Sequence, residues 1–251
     1  MTSIILSGVL GTMGRAVASL ADGRDDCCIA AGIDAAASGG EGGGFPLFSS
    51  PENCTVTDGV IVDFSHPSAL DGLLRFALAH SLPSVICTTG LAGEQVEALH
   101  KAAERIPVFF SANMSLGVNL MAALCEKAAM ALDGSFDIEI VEKHHNRKID
   151  APSGTALMLA DRISGVLCEK PQYVYDRHSE RRQRRKNEIG LHAVRGGTIV
   201  GEHEVIFAGV DEVLTISHSA ASKQVFAAGA LSAARFLSGK PAGLYDMRDL
   251  V

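Results

Sequence analysis

The chain has 251 residues, of which 47% are hydrophobic and 20% are charged. This composition is typical of an ordinary soluble globular protein, and the length allows one large domain or two small ones. The formal net charge of −7 argues against general nucleic-acid binding, because such binding needs a broad basic face.

The cysteines and the apolar runs indicate where the protein works. Six cysteines are spread over the chain without a C-x-x-C pair, so neither a zinc cluster nor a disulfide framework is predicted. A reducing cytoplasm is the simplest setting. The amino terminus enters a strand pattern at once, which predicts no signal peptide, and no apolar run approaches the ~18 residues of a membrane helix. We therefore expect a cytoplasmic protein that binds neither membranes nor nucleic acid.

Short apolar runs alternate with helical patterns through the first part of the chain. Strands are predicted at 4–6, 29–33, 60–64, 84–87 and 108–110, and helices around 13–20, 70–77 and 96–103. Such alternation predicts a parallel sheet with helices on both faces, and thus a Rossmann-like domain of the α/β class. The glycine-rich stretch 39–44 is predicted to be a flexible loop.

The pattern changes after about residue 115. Helices are predicted at 119–132, 153–167 and 224–237, and strands at 137–141, 198–207 and 213–218. The last two strands have no helix between them, which indicates a smaller antiparallel α+β domain. We place a dinucleotide-binding domain at 1–115 and 219–251, and a substrate-binding and oligomerisation domain at 116–218.

A glycine motif follows the first predicted strand and opens the first helix. Gly8, Gly11 and Gly14 have G-x-x-G-x-x-G spacing, a variant of the dinucleotide fingerprint. In that fingerprint the glycines permit a tight turn, let pyrophosphate approach and allow close helix packing. Taken alone, the triplet is equally consistent with a structural turn.

The residue that ends the second strand favours nucleotide binding. Asp34 can accept hydrogen bonds from ribose hydroxyls at this position. No arginine or lysine follows it up to Ser38, so a 2′-phosphate would face a carboxylate without an obvious cation. This favours NADH over NADPH as the cofactor, although a basic residue could reach in from elsewhere.

Polar residues also end two later strands. Thr88, Thr89 and Gly90 follow one, and residues 111–115 follow the next. The carboxyl ends of parallel strands border the ligand crevice of such sheets. Each group by itself is equally consistent with an ordinary polar turn.

The segment 142–156 carries the clearest chemical signal. It places His144, His145 and Lys148 just before a predicted helix. Histidine can donate a proton near neutral pH, lysine supplies a compact positive charge, and the N–H groups of a helix start bind anions. The segment therefore predicts a site that holds an anionic substrate and protonates it.

Other interpretations of this segment stay open. Either histidine could simply hydrogen-bond within a loop, and Arg147 and Lys148 could be a solvated pair. Adjacent histidines cannot both face one way in an extended segment, so at most one performs the chemistry directly. They also do not suit one tetrahedral zinc site, so no metal is predicted. His203 is more consistent with a satisfied interior histidine.

At this point the sequence resembles one family closely, the 4-hydroxy-tetrahydrodipicolinate reductases, also called dihydrodipicolinate reductases. The central match is Glu142-x-His144-His145-x-x-Lys148-x-Asp150-Ala151-Pro152-Ser153-Gly154-Thr155-Ala156. Further matches, in the family's order, are the glycine motif at 8–14, Val62-Asp63-Phe64-Ser65, Thr88-Thr89-Gly90, Asn113-x-Ser115-x-Gly117-Val118-Asn119, Gly201-Glu202-His203 and Gly243-Leu244-Tyr245-Asp246-Met247. The resemblance covers nearly the whole chain.

The resemblance implies an NAD(P)H-dependent reductase of a cyclic imine dicarboxylate. Its reaction converts 4-hydroxy-tetrahydrodipicolinate to tetrahydrodipicolinate in lysine and diaminopimelate biosynthesis, and the family forms homotetramers through the sheet of the second domain. The resemblance assigns His144 as proton donor and Lys148 as its catalytic partner. Hydride addition to a conjugated C=N system needs a positioned acid, and a lysine near the developing charge stabilises it.

The resemblance also implies two sets of binding residues. The expected substrate ligands are His145, Lys148, Ser153, Gly154 and Thr155. The expected cofactor ligands are Gly8, Gly11, Thr12, Met13, Gly14, Asp34, Phe64, Ser65, Thr88, Thr89, Gly90, Asn113 and Met114.

The chain departs from the family pattern at two positions, and one segment remains open. Met114 occupies a site associated with an aromatic residue, and Lys223 one associated with arginine. The basic segment 176–188 is consistent with a solvated loop or with a positive lip that attracts a dianionic substrate.

Two other functions share some of these features. One is another two-domain NAD-dependent oxidoreductase, and the other is a redox sensor that binds a nicotinamide cofactor without catalysis. The segment 142–156 argues against both, because neither needs His144 and Lys148 beside an anion-binding helix start.

Overall fold

The chain forms two compact units in the computed structural model, which describes residues 1–132 and 134–251 apart from the side chain of Glu41. The first unit comprises residues 1–116 and 223–251, and the second comprises residues 117–222. The strands are β1 (Thr2–Ser7), β2 (Cys27–Ile33), β3 (Glu41–Gly42), β4 (Phe45–Phe48), β5 (Val60–Asp63), β6 (Ser84–Ile86), β7 (Pro107–Phe110), β8 (Asp137–His144), β9 (Gln172–Val174), β10 (Glu188–Arg195), β11 (Gly201–Ala208), β12 (Val213–Ala220) and β13 (Gly243–Tyr245). The α-helices are α1 (Thr12–Ala21), α2 (Leu70–His80), α3 (Gly93–Ala103), α4 (Leu116–Leu132), α5 (Gly154–Ser164) and α6 (Gln224–Leu237).

The first unit is built on one sheet with the strand order β13-β7-β6-β5-β1-β2-β4-β3. Its strands pair in parallel except for the short β3, which runs antiparallel to β4. Residues Ile4, Ile5 and Leu6 of β1 are all fully buried. A strand buried on both faces is apolar throughout rather than alternating. The predicted Rossmann-like α/β fold is confirmed.

Helices cover both faces of this sheet. Successive side chains of a strand point to opposite faces, and Ile4 and Ile5 accordingly enter different cores. The core around Ile4 includes Val17 of α1 and Ala230 of α6. The core around Ile5 includes Leu70 of α2 together with side chains of α3. This double covering leaves the ends of the strands as the place for a ligand.

Three short strands at the margins of the first sheet, β3, β4 and β13, were not predicted from the sequence. The stretch 39–44, predicted as a flexible loop, contains β3, which pairs with β4. The third such strand, β13, has three residues and pairs with β7. Strands this short have too few residues to show an alternating pattern.

The sheet of the second unit has the order β12-β11-β8-β10-β9. β11 is antiparallel to β12 and β8, whereas β10 is parallel to both β8 and β9. The prediction of an antiparallel pattern is therefore wrong for one half of the sheet. β9 and β10 flank the arginine-rich segment 176–188, whose polarity conceals a strand pattern.

One face of this second sheet is covered and the other is open. Ile140 of β8 and Phe207 of β11 pack against Leu159 and Ile163 of α5. Along β11, buried residues alternate with half-exposed ones, as expected for a sheet with one solvated face. No helix within 1–132 and 134–251 has the length and apolar character needed to cross a membrane.

The basic segment 176–188 is tied to this sheet by ion pairs. Arg177 and Arg182 both contact Glu188, whose side chain is fully buried. Burial alone would raise the pKa of Glu188, but hydrogen bonds from the two arginines lower it to about 2. Arg184 contacts Glu139 at 2.9 Å. These pairs favour a structural role for the segment over a positive lip that attracts substrate.

Candidate active site

The glycine motif forms a close-packed turn at the carboxyl end of β1. Gly8 has φ = 75°, and a Cβ there would lie 2.6 Å from the carbonyl oxygen of Phe64. A Cβ on Gly14 would lie 2.2 Å from the carbonyl oxygen of Gly8. Gly11 is exposed and has more space. Gly8 and Gly14 are therefore required by backbone packing, while Gly11 leaves the turn open to a ligand.

Asp34 is half-buried and joins the end of β2 to this turn. Its carboxylate accepts hydrogen bonds from the backbone N–H of Leu10 and of Ala36, both at 3.0 Å. An ionised carboxylate has about four lone-pair sites. Asp34 can therefore hold the turn in place and still accept a hydrogen bond from a ribose hydroxyl.

A buried carboxylate organises the loops after β5 and β6. Asp63 is fully buried, and it accepts hydrogen bonds from the Thr88 hydroxyl at 2.6 Å and from the Ser65 N–H at 3.1 Å. The Thr88 side chain is thus committed to the protein, whereas Thr89 and Gly90 are exposed. The sequence analysis gave Asp63 no role, although an aspartate that ends an apolar strand was a signal of one.

The last cofactor candidates lie after β7. The Asn113 side chain accepts a hydrogen bond from the Ser115 N–H at 2.9 Å. Met114 is 2% exposed and belongs to the core of the first unit. A Cβ on Gly229 of α6 would lie 1.7 Å from the Met114 carbonyl oxygen, so Met114 packs against that helix.

The thirteen cofactor candidates all lie beyond the carboxyl ends of strands of the first sheet. They follow β1, β2, β5, β6 and β7, which are consecutive in the order β7-β6-β5-β1-β2. Thr12 and Met13 lie in the first turn of α1. The strand order reverses between β1 and β5, and such switch points bind ligands in open α/β sheets.

In the second unit, His144 ends β8 and contacts a buried glutamate. Its Nδ1 lies 2.6 Å from Glu142 Oε2, and its side chain is 12% exposed. Glu142 is fully buried and receives two hydrogen bonds from Arg195 of β10, both at 2.7 Å. Burial alone would raise the pKa of Glu142, but the hydrogen bonds from Arg195, His144 and Ser153 lower it. Glu142 is therefore a carboxylate.

The loop after β8 holds Lys148 beside an acid. Lys148 Nζ lies 2.8 Å from Asp150 Oδ1, and this pairing lowers the pKa of Asp150. The Asp150 carbonyl accepts a hydrogen bond from Arg195 at 2.7 Å. His145 is half-buried, and its carbonyl accepts a hydrogen bond from the Lys148 N–H at 3.1 Å. Lys148 is thus ion-paired with Asp150 rather than forming a solvated pair with Arg147.

Ser153 is the N-cap of α5. Its hydroxyl accepts a hydrogen bond from the Ala156 N–H at 3.2 Å, and its own N–H donates to Glu142 at 2.9 Å. Ser153 is 2% exposed, so it holds the helix start from within. Gly154 is exposed and Thr155 is half-buried in the first turn. These two residues are better placed than Ser153 to meet an anion at the helix start.

His203 lies in the interior of the second unit, next to Ser153 and His144. Its Nε2 is 3.1 Å from Ser153 Oγ, and its ring centroid is 5.2 Å from that of His144. Burial and the neighbouring His144 lower the pKa of His203 from 6.5 to about 4. It is therefore neutral at pH 7 and serves as an interior hydrogen-bonding residue.

The shifted pKa of His203 predicts a pH-dependent stability. Between pH 6.5 and about 4, the unfolded chain binds a proton at His203 that the folded chain does not bind. Stability should therefore fall as pH falls through this window, by up to about 1.4 kcal/mol per pH unit. His203→Gln should make the pH dependence of the melting temperature shallower. The exposed His178→Gln serves as the control, and equal slopes in both variants would contradict the prediction.

The sequence analysis missed Arg195 altogether. Arg195 belongs to β10, a strand that was not predicted, and it is 53 residues from Glu142 in the chain. Glu142 was part of the quoted motif but had no assigned role. An acid one alternation before a candidate catalytic histidine on the same strand face was the available signal.

The first unit has a Rossmann-like fold with a fingerprint turn. The second unit has a histidine and a lysine beside a helix start. Together these features define the class of two-domain nicotinamide-dependent oxidoreductases. The family models agree with this class. The model described as dihydrodipicolinate reductase, N-terminus, matches residues 2–114, and the C-terminus model matches residues 117–251. The chain belongs to the dihydrodipicolinate reductase family. The C-terminal match includes α6 and β13, which lie in the first structural unit.

Individual relatives extend over the full chain. A 4-hydroxy-tetrahydrodipicolinate reductase of Caldanaerobacter subterraneus subsp. tengcongensis is 51% identical over 100% of this chain and 98% of its own length. One from Clostridium tetani is 45% identical over 98% of this chain and 96% of its own length. A structure of dipicolinate-bound dihydrodipicolinate reductase from Paenisporosarcina sp. TG-14 has a TM-score of 0.84 and 23% identity, with 100% of both chains covered. This last likeness supports the fold.

Proposed function

We propose that this chain takes hydride from NADH and a proton from His144 in the reaction of its family. That reaction is the reduction of 4-hydroxy-tetrahydrodipicolinate, also called dihydrodipicolinate, to tetrahydrodipicolinate in lysine and diaminopimelate biosynthesis. The observation that carries the proposal is the 2.6 Å contact of His144 Nδ1 with the buried Glu142 carboxylate. The test is NADH oxidation by the purified protein with and without substrate. Oxidation that does not depend on substrate, or no oxidation, would refute it.

The contact with Glu142 selects the nitrogen of His144 that delivers the proton. A carboxylate only accepts hydrogen bonds, so Nδ1 carries the hydrogen that faces Glu142. Nε2 is then the nitrogen available to the substrate. Negative charge develops on the nitrogen or an adjacent carbon of the conjugated imine as it is reduced, and a protonated Nε2 neutralises it.

Lys148 and the start of α5 hold the anionic groups of the substrate. Lys148 places its charge near the developing negative charge and lowers its energy. Gly154 and Thr155 offer a helix N-terminus to a substrate carboxylate, with His145 assisting. α5 has 11 residues, long enough for a helix dipole that favours an anion at its start. Ser153 contributes by capping the helix.

The residues of the first unit fit a nicotinamide cofactor. The open turn at Gly11, bounded by the tightly packed Gly8 and Gly14, would receive the pyrophosphate. Asp34 would accept hydrogen bonds from the adenosine ribose. Thr89, Gly90 and Asn113 would line the nicotinamide side of the crevice. When bound, NADH supplies the hydride.

We expect NADH to be preferred over NADPH. A 2′-phosphate beside Asp34 would meet like charge, and the following residues 35–38 add no cation. Measured kcat/KM should therefore be higher with NADH. Asp34→Asn keeps an acceptor for the Leu10 N–H and removes the charge, so it should narrow the preference, whereas the exposed Asp58→Asn should not. A higher kcat/KM for NADPH in the parent protein would contradict the prediction.

The protein is also proposed to act as a homotetramer in the cytoplasm. The open face of the second sheet includes the half-exposed Ile206, and Val213 and Leu214 of its edge strand β12 are exposed. An uncovered sheet edge is a surface that another chain can pair with or cover. The resemblance to the family indicates that the assembly is a tetramer. Sedimentation analysis should give the mass of four chains, and a monomer at micromolar concentration would contradict it. The cytoplasmic location is proposed because the cysteine pattern indicates no disulfide framework.

A further inference from the structure

Glu142 sits at the centre of a hydrogen-bond network that extends beyond His144 to Ser153 and Arg195. Its carboxylate accepts bonds from His144 Nδ1 at 2.6 Å, from Ser153 N–H at 2.9 Å and from both terminal nitrogens of Arg195 at 2.7 Å. The side chain is fully buried. A buried carboxylate is stable only when it is paired and hydrogen-bonded, and His144, Ser153 and Arg195 supply those bonds here.

The network joins the two halves of the proposed substrate site. Through His144 it reaches the proposed proton donor, and through Ser153 it reaches the N-cap of the helix whose start would bind a carboxylate. Arg195 adds a third link, because it also donates to the Asp150 carbonyl at 2.7 Å. One carboxylate thus has direct contacts with the end of β8, with β10 and with the start of α5.

We propose that Glu142, held in place by Arg195, is the positioning residue for the proton transfer. It fixes the His144 ring with hydrogen on Nδ1, and so directs Nε2 to the substrate. This inference rests on the proposed role of His144 as proton donor. The bidentate pair with Arg195 is the geometry that orients a carboxylate most rigidly.

The experiment replaces the carboxylate without leaving a buried charge. Glu142→Gln alone leaves Arg195 without the carboxylate that it pairs with. Removing one partner of a buried ion pair is strongly destabilising. The double variant Glu142→Gln/Arg195→Gln removes both charges together. The matched control is Glu126→Gln/Arg162→Gln, which removes another bidentate pair of the same unit with contacts at 2.6 Å.

Three readouts separate positioning from a merely structural role. The kcat of the Glu142/Arg195 double variant should fall by on the order of tenfold or more, as part of the general-acid factor. The dissociation constant of dipicolinate, measured by calorimetry with NADH bound, should change much less. In nitrogen-15 NMR, the His144 signal, identified by its loss in His144→Gln, should show hydrogen shifting away from Nδ1. Glu142→Asp keeps the carboxylate and should recover part of the kcat.

Each contrary outcome is decisive. A folded double variant with the kcat of the control would overturn the inference, as would a fall in kcat with an unchanged Nδ1 signal. An equal loss of kcat and of dipicolinate affinity would show a structural role only. If instead His144→Gln retains near-normal kcat, the proton-donor assignment fails first, so the two failures are distinguishable.

Discussion

Replacing His144 with glutamine is expected to lower kcat by on the order of 10²–10⁴, the range for loss of a general acid. Glutamine approximates the reach of the imidazole and cannot protonate a carbanion or an imine nitrogen. The proposed cofactor residues lie in the first unit and His144 in the second, so NADH affinity should stay at the parent value. Stopped-flow measurement of NADH oxidation, with calorimetric titration of NADH, checks both expectations.

His192 offers a matched control for this experiment. Its ring contacts Glu139 at 2.6 Å, so His192→Gln breaks the same kind of histidine–glutamate contact in the same sheet. It should leave kcat near the parent value. A His144→Gln enzyme with near-normal kcat would remove His144 from the mechanism and direct attention to His145 or to a bound water.

Replacing Lys148 with alanine should lower kcat by on the order of 10²–10³, comparable with the loss of one preorganised charge-stabilising group. The ammonium group is expected to act on charge that develops during reduction, so its removal affects the transition state more than the ground state. The measurement is steady-state kcat and KM over a range of substrate concentrations. Lys143→Ala is the control, because Lys143 pairs with Glu202 at 3.2 Å and lies next to His144 in sequence.

Thr155→Ala distinguishes binding from chemistry at the same site. A carboxylate contact at the start of α5 is present in the ground state and the transition state alike, so its loss should raise KM more than it lowers kcat. The reverse pattern, with Lys148→Ala acting on KM alone and Thr155→Ala on kcat, would exchange the two assignments.

Much of the fold was predictable because its signals are local. The run Ile4-Ile5-Leu6 and the glycines at 8, 11 and 14 lie within one strand–turn–helix unit, and the structure confirms that unit. The predicted helix 224–237 coincides with α6, in which buried residues such as Ala227, Ala230 and Ala234 recur at helical spacing. β9 and β10 were not predicted, because a strand beside an arginine-rich segment carries polar residues that pair with distant partners.

The sequence by itself determined the family, the glycine turn at 8–14 and the segment 142–156, because each depends on residue types at short, regular spacings. Only the tertiary structure decided what these residues contact. Arg195 reaches Glu142 because β10 pairs in parallel with β8, with Arg195 opposite His144 in the register. Asp63 joins Ser65 to Thr88 because β5 and β6 are neighbours. Such partners are set by pairing between strands that lie far apart in the chain, so residue spacings within one segment do not reveal them.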